Sequence, residues 1–239
     1  LFIVHSFLIG ICKPVKKLPL RMRLSAFLSS LLPKLAFMRR SFGKAPFRLL
    51  DIGAGNHSAS KIKNVFPVCE YHGVDMERDY NNSADDFAKM HAFYEMDLTR
   101  LDMQSIPDDY FDGIWMVHVI EHLHNGDQVI QALLPKLKSG GYLYIEYPGQ
   151  KSTILPSMHG TLNFYDDKTH VRVYSVPELR TLLEAAGCTV LNGGTRRNAW
   201  LLLAMPLRIL GTWLRGKKLQ GNLFWDLLGF AEYVWVRKN

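Results

Sequence analysis

The chain is poor in cysteine, has no long unbroken apolar run, and carries no acidic residue before Asp51. Each shortage excludes something. Cys12, Cys69 and Cys188 are far apart and odd in number, so neither a disulfide framework nor a paired-cysteine metal or redox motif is encoded. They read as reduced thiols of a cytosolic protein. The apolar stretch 1–12 is shorter than the roughly 20 residues that span a bilayer, and no cation precedes it, so neither a transmembrane helix nor a secretory signal is predicted there. The sequence opens on Leu1 rather than Met, which leaves room for a longer native start. Internal repeats and low-complexity tracts are missing, which argues against a solenoid or a linker-rich chain.

What is present suits one globular domain. The 239 residues are 48% hydrophobic, enough to build a sizeable core. The net charge of +7 is unevenly placed: residues 1–48, 49–195 and 196–239 carry +10, −9 and +6. An acidic centre is therefore flanked by two basic segments, and a basic segment implies an anionic partner.

The most informative stretch is 47–56, FRLLDIGAGN. Phe47, Leu49, Leu50 and Ile52 read as a buried strand of a parallel sheet. Asp51 lies near its end, and Gly53-Ala54-Gly55 allow a sharp turn with no Cβ to block a ligand. Residues 57–66 then read as a helix. Strand, glycine turn and helix form one edge of a nucleotide crevice. The dinucleotide fingerprint needs a third glycine, but Ser58 stands in its place. An acid before the turn also suits a cationic ligand better than a pyrophosphate.

LDIGAG resembles the first motif of class I S-adenosylmethionine-dependent methyltransferases, of the type 11-like group. Further motifs extend the resemblance over residues 45–195. Family members often have glycine where this chain has His57. The resemblance implies a Rossmann-like, doubly wound α/β sheet of seven strands in the order 3-2-1-4-5-7-6, the last strand antiparallel. It also implies S-adenosyl-L-methionine as cofactor, held by Asp51, Gly53, Ala54, Gly55, Asp75, Met76, Asp97, Leu98 and His118.

Along the chain, EYHGVD (70–75) reads as strand 2, and an acid at its end is placed to accept both ribose hydroxyls. The resemblance gives Asp75 that role and sets Met76 against the adenine; otherwise Asp75 is a plain strand-end residue. FYEMDL (93–98) reads as strand 3. There the family pattern has Asp97 accept from the adenine amino group and the Leu98 amide contact a ring nitrogen. The alternative is that Asp97 caps the next turn. FDGIWMV is a buried strand that delivers His118, Glu121 and His122 to the ligand edge. If the chain turns helical there, these three share one face.

Three roles are open for this group: a histidine general base, His118 or His122; a structural Glu121–His122 arrangement; or a divalent metal on His118, Glu121, His122 and His170. The last is the minor reading, as in some quinone-synthesis and plant small-RNA methyltransferases. Residues 127–138 read as an amphipathic helix ended by Ser139-Gly140-Gly141, before strand YLYIEYP. Loop 149–170 is read as the acceptor loop, with Phe164, Tyr165, His170 and Arg172 as substrate residues; Arg172 and Tyr174 also fit a packing role. Ser175 is a predicted N-cap.

Two segments frame this domain (45–239). The arm 1–44 mixes apolar clusters with cations, as an interfacial helix on an anionic membrane does. It also fits a helix packed on the sheet, or, with no recognition module in view, nucleic-acid contact. The insert 196–229 between strands 6 and 7 is apolar and basic, and Pro206 and Arg208 interrupt it. It reads either as a membrane-dipping helix or as a layer packed on the arm or a second copy. Together these features predict a cytoplasmic methyltransferase, peripheral at the inner face of the membrane. Its expected acceptor is a small molecule or lipid-linked glycan methylated on oxygen. A metal-assisted quinone or lipid-precursor enzyme, an RNA methyltransferase and a non-catalytic cofactor-fold protein are the alternatives. Oligomeric state is left open.

Overall fold

The computed structural model describes residues 33–239. Most of the arm, residues 1–32, lies outside the described residues, and so does the membrane reading made for it. Seven strands form one sheet: β1 (Arg48–Ile52), β2 (Glu70–Asp75), β3 (Ala92–Glu95), β4 (Phe111–Val117), β5 (Leu137–Pro148), β6 (Cys188–Thr195) and β7 (Ala231–Lys238). Their order is 3-2-1-4-5-7-6, as the resemblance implies. β1 to β5 run parallel, and β7 runs antiparallel to both of its neighbours.

The central strands are buried on both faces, which is why they read as apolar runs rather than alternating ones. Leu50 and Ile52 of β1 point into one core, with Ile114, Met116 and Ile145. Helices α4 (Gly126–Leu133) and α5 (Val176–Ala185) cover that face with Val129, Ile130, Leu179 and Leu183. Leu49 points the other way, into a core with Trp115 and Tyr144. Helices α1 (Pro33–Phe42) and α2 (Ser58–Val65) cover this second face. The side chain of Phe37 in α1 packs between Tyr144, Tyr233 and Trp235, at ring distances of 5.1, 4.9 and 5.2 Å. The end of the arm is thus a helix packed on the sheet, with Arg39 and Arg40 exposed.

Two predicted boundaries move. The helix expected over 127–138 stops at Leu133, and a 3-10 turn follows over Leu134–Lys136. Pro135 lacks the N–H that a longer helix would use. Ser139-Gly140-Gly141 therefore do not end a helix; they lie inside β5, where its pairing with β4 shifts register. Strand β3 ends at Glu95, so Asp97 stands beyond it.

The insert between β6 and β7 folds as helices rather than one segment: α6 (Ala199–Leu203), α7 (Met205–Leu214) and α8 (Trp225–Leu228), the last following the short α3 (Ala84–Phe87) and others in chain order. Among the described residues, no helix is long and apolar enough to cross a membrane.

Candidate functional site

The crevice is assembled at the carboxyl ends of β1, β2 and β4. After Ile52 the chain turns on Gly53, whose φ of +78° favours glycine. A Cβ there would lie 2.5 Å from Val119 Cγ2, so the turn fits tightly against the end of β4. The amides of Gly53 and Ala54 both donate to the Val74 carbonyl, at 2.8 and 3.0 Å, tying the turn to β2. A Cβ on Gly55 would fall 2.5 Å from the Tyr80 ring and 3.3 Å from Asp75 Oδ2.

Asp51, expected to face the ligand, is buried. Its Oδ2 accepts from the Ser58 hydroxyl at 2.5 Å and the Tyr71 hydroxyl at 2.6 Å. It thereby pins the first turn of α2 to the sheet. His57 takes a left-handed φ of +58°, the conformation a glycine would supply. Its Nδ1 donates to Asp86 at 2.7 Å, which offsets that strain. Asp86 is buried and also accepts from the hydroxyls of Ser60 and Ser83. Burial alone would raise its pKa, but these bonds hold it below the usual carboxylate range. The loop after β2 is thus fastened to α2 by a hub that sequence reading did not find.

Asp75 stands half-buried at the end of β2. Burial raises its pKa, against the opposing pull of the Glu77, Met76 and Gly55 amides. Met76 beside it is exposed. Asp97 is exposed and caps the 3-10 turn Leu98–Arg100, accepting from the Thr99 amide at 2.9 Å and its hydroxyl at 2.6 Å. Those bonds, led by the hydroxyl, lower its pKa. The capping reading of Asp97 is therefore the geometry seen, while Leu98 is buried.

The edge beyond β4 is built around His118. Its amide donates to the Glu146 carbonyl at 2.8 Å, and φ of +55° turns the chain off β4. Nδ1 lies 3.3 Å from Glu121 Oε1, and Nε2 lies 3.4 Å from Glu146 Oε1. Glu146 is buried and also accepts from Tyr144 Oη at 2.6 Å and Arg196 Nη1 at 3.1 Å. Arg196 Nη2 donates to Asp226 Oδ2 at 2.9 Å. Burial alone would lower the His118 pKa, but Glu121 and Glu146 outweigh it and raise it to about 9. Burial pushes Glu146 the other way, yet Arg196 and His118 bring it down to about 2. His118 is therefore an imidazolium at neutral pH. A general base needs a free lone pair, which this form lacks.

The expected single face of His118, Glu121 and His122 does not form. A short 3-10 turn, Ile120–His122, follows instead of an α-helix, so the two histidines diverge. Glu121, His122 and His170 do converge, with candidate donor atoms within 4.8 Å of one another, and His118 stands outside this group. His170 Nδ1 donates to the Phe164 carbonyl at 2.6 Å. His122 Nδ1 lies 3.2 Å from the Thr169 carbonyl and 2.9 Å from its hydroxyl. A carbonyl only accepts, so each bond to one fixes a proton on Nδ1. Glu121 Oε2 is buried with no hydrogen-bond partner among the described residues.

Loop 149–170 and the insert close over this region together. Trp225 stacks on Phe230 and sets its ring 4.9 Å from His118. Its indole N–H donates to the Thr161 carbonyl at 2.6 Å. Phe164 is buried, whereas Tyr165 is exposed. Arg172 bridges Asp127 at 2.9 Å and Glu178 at 2.6 Å and lies over the Tyr174 ring, the packing role the sequence allowed. Glu146, Arg196 and Trp225 escaped sequence reading. Glu146 had one signal, an acid inside the apolar run YLYIEYP.

Residues 20–192 match the family model of the methyltransferase domain, Methyltransf_23. No curated protein matches the chain in sequence. Among solved structures, a SAM-dependent methyltransferase from Archaeoglobus fulgidus is 21% identical, with a TM-score of 0.56, covering 90% of this chain and 94% of that one. Phosphoethanolamine N-methyltransferase 2 from Haemonchus contortus, in complex with S-adenosyl-L-methionine, is 20% identical at TM-score 0.58, covering 85% of this chain and 51% of that one. The cyclase SpnF is 18% identical at TM-score 0.54, covering 91% and 81%. Likeness at these identities carries the fold, and the fold serves more than one chemistry. The family match spans most of the chain and includes both the glycine turn and the histidine-bearing edge, so this protein belongs to the methyltransferase-domain family as a class I enzyme whose cofactor is S-adenosyl-L-methionine.

Proposed function

We propose that this enzyme methylates an oxygen of an acceptor presented at a membrane, of the lipid-linked or cell-envelope glycan kind. The observation that carries the reading is the arrangement over β4 and β5: His118 held between two carboxylates, with Trp225 from a basic, apolar insert as its roof. The sulfonium carbon of the cofactor is already electrophilic, so the protein must align the acceptor, exclude water and accept a proton. In this reading the Gly53–Gly55 turn gives the cofactor backbone access, with Asp51 positioning it through Ser58. Asp75 accepts from the ribose, and Met76, Asp97 and Leu98 border the adenine. The His118 imidazolium orients groups rather than removing a proton. His122 is the base, its Nδ1 engaged by Thr169 and its ring packed against His170. Tyr165 and the rest of loop 149–170 face the acceptor, with Phe164 buried beneath.

Convergence of Glu121, His122 and His170 supports a second reading, with a divalent ion on those three. One carboxylate and two imidazoles suit zinc or a similar ion, and the unpartnered Glu121 Oε2 is a fitting donor. Such an ion would supply Lewis-acid polarisation of the acceptor oxygen. The His118 cation against the same carboxylate weighs against it.

The test is methyl transfer from radiolabelled S-adenosylmethionine into cell extract, separated into lipid, polysaccharide, RNA, protein and small-molecule fractions. Label is expected in the lipid or polysaccharide fraction, falling at least about a hundredfold in His122→Ala. Label in RNA would overturn the acceptor class. Loss of activity on chelation, restored by metal, would favour the second reading. Asp75→Ala is expected to weaken S-adenosylhomocysteine binding by about tenfold or more, the worth of a hydrogen bond to a charged group. Unchanged affinity would remove its ribose role.

A further inference from the structure

Helices α6 and α7 present an unusual combination. Their composition is that of a core, yet neither helix buries a single residue. Trp200 and Trp213 are 62% and 71% exposed, and Leu203, Leu207, Leu210 and Leu214 are exposed beside them. Met205, Pro206, Ile209, Leu210 and Trp213 line an apolar groove along α7. A patch of this kind is more than the scattered exposed residues normal for a protein surface. Between Arg197 and Trp225 the sequence has no acidic residue. Arg208, Arg215, Lys217 and Lys218 fall in that span, and none forms a salt bridge among the described residues.

We infer that α6–α7 is a docking surface for an anionic lipid bilayer, into whose headgroup region Trp200, Trp213 and the neighbouring leucines insert. Charge complementarity selects this occupant. An apolar face with indole rings, ringed by unpaired cations and free of acids, matches a negatively charged interface on both counts. A second copy of the chain would instead bring the same cations against each other. The insert also leaves the sheet beside the site. Its first residue, Arg196, is bonded to Glu146, and Trp225 near its end packs on His118. A bilayer held by α6–α7 therefore lies next to the acceptor side. This last point rests on the proposed membrane-presented acceptor, whereas the docking itself does not.

The experiment is co-sedimentation of the full chain with phosphatidylcholine vesicles and with phosphatidylcholine–phosphatidylglycerol vesicles, alongside S-adenosylhomocysteine calorimetry. Binding is expected to the anionic vesicles, weakening as salt rises. Trp200→Ser with Trp213→Ser is expected to reduce it by about tenfold or more. Replacing Arg215, Lys217 and Lys218 by Gln should reduce it by about fivefold per charge. Affinity for S-adenosylhomocysteine should stay unchanged in both variants. Failure of the parent protein to bind vesicles would overturn the proposal. So would binding undiminished in the tryptophan variant, which would assign it to the basic segment 1–48. Self-association abolished by the tryptophan changes, without vesicle binding, would reassign the face to a second copy. Loss of cofactor affinity in the parent would strike the enzyme reading alone and leave the vesicle result standing.

Discussion

Between Glu121 and Glu146, the His118 ring keeps its proton through the range where a free histidine loses it. The consequence for stability has a definite sign. Its folded pKa of about 9 lies above the unfolded value near 6.5, so the contribution is fully present below pH 6.5 and disappears as pH rises through 9. We expect the stability gap between the parent and His118→Asn to be largest in acid. It should shrink by an amount on the order of 2–3 kcal/mol by pH 9.5. Urea unfolding at a series of pH values measures it, and a gap that widens with pH would contradict the pairing. Asn is the suitable replacement because it tolerates the left-handed backbone at this position. At this scale sequence reading went furthest where placement rests on neighbouring residues. The glycine turn and the position of Asp75 at the end of β2 were legible because a short motif carries them. The protonation of His118 was not, because Glu146 and Arg196 come from distant parts of the chain. Asp51 shows the same limit: its type suggested a ligand contact, while its partners Ser58 and Tyr71 make it an internal brace.

Elements joined by polar hubs make the second scale. His57 pays for its left-handed backbone with its bond to Asp86, so two replacements separate the two effects. His57→Gly loses the bond but relieves the backbone; His57→Ala loses the bond and keeps the strain. The glycine variant is expected to be the more stable by about 1 kcal/mol, read from denaturant midpoints. Arg196 joins the insert to β5 and α8 through Glu146 and Asp226, both buried. Arg196→Met leaves buried Asp226 without its cation and Glu146 with His118 alone, and is expected to destabilise by about 3–5 kcal/mol. A loss under 1 kcal/mol would mean the network is open to solvent. The parallel strands were readable because two-sided burial writes itself as apolar runs. The 139–141 stretch was misread because Ser-Gly-Gly is also a helix-ending composition, and only Pro135 hinted that the helix had already stopped.

At the scale of the whole molecule, neither core of the sheet includes a residue of α6 or α7, where Leu201, Leu202 and Ile209 are only half-buried. Replacing residues 199–218 by a short Gly/Ser linker is therefore expected to lower unfolding free energy by less than about 1 kcal/mol, since no core contact is removed. Calorimetry decides this, and a large drop in Tm would show that these helices support the fold. Strand β6 has a different dependence. Among the described residues its only neighbour in the sheet is β7, and about 35 residues of insert lie between them. β6 therefore waits for a partner that follows the insert in the chain, and the edge of β5 stays open until that same strand docks. One strand thus closes both, so this side of the sheet completes in a single late step set by the closing of a loop of about 35 residues.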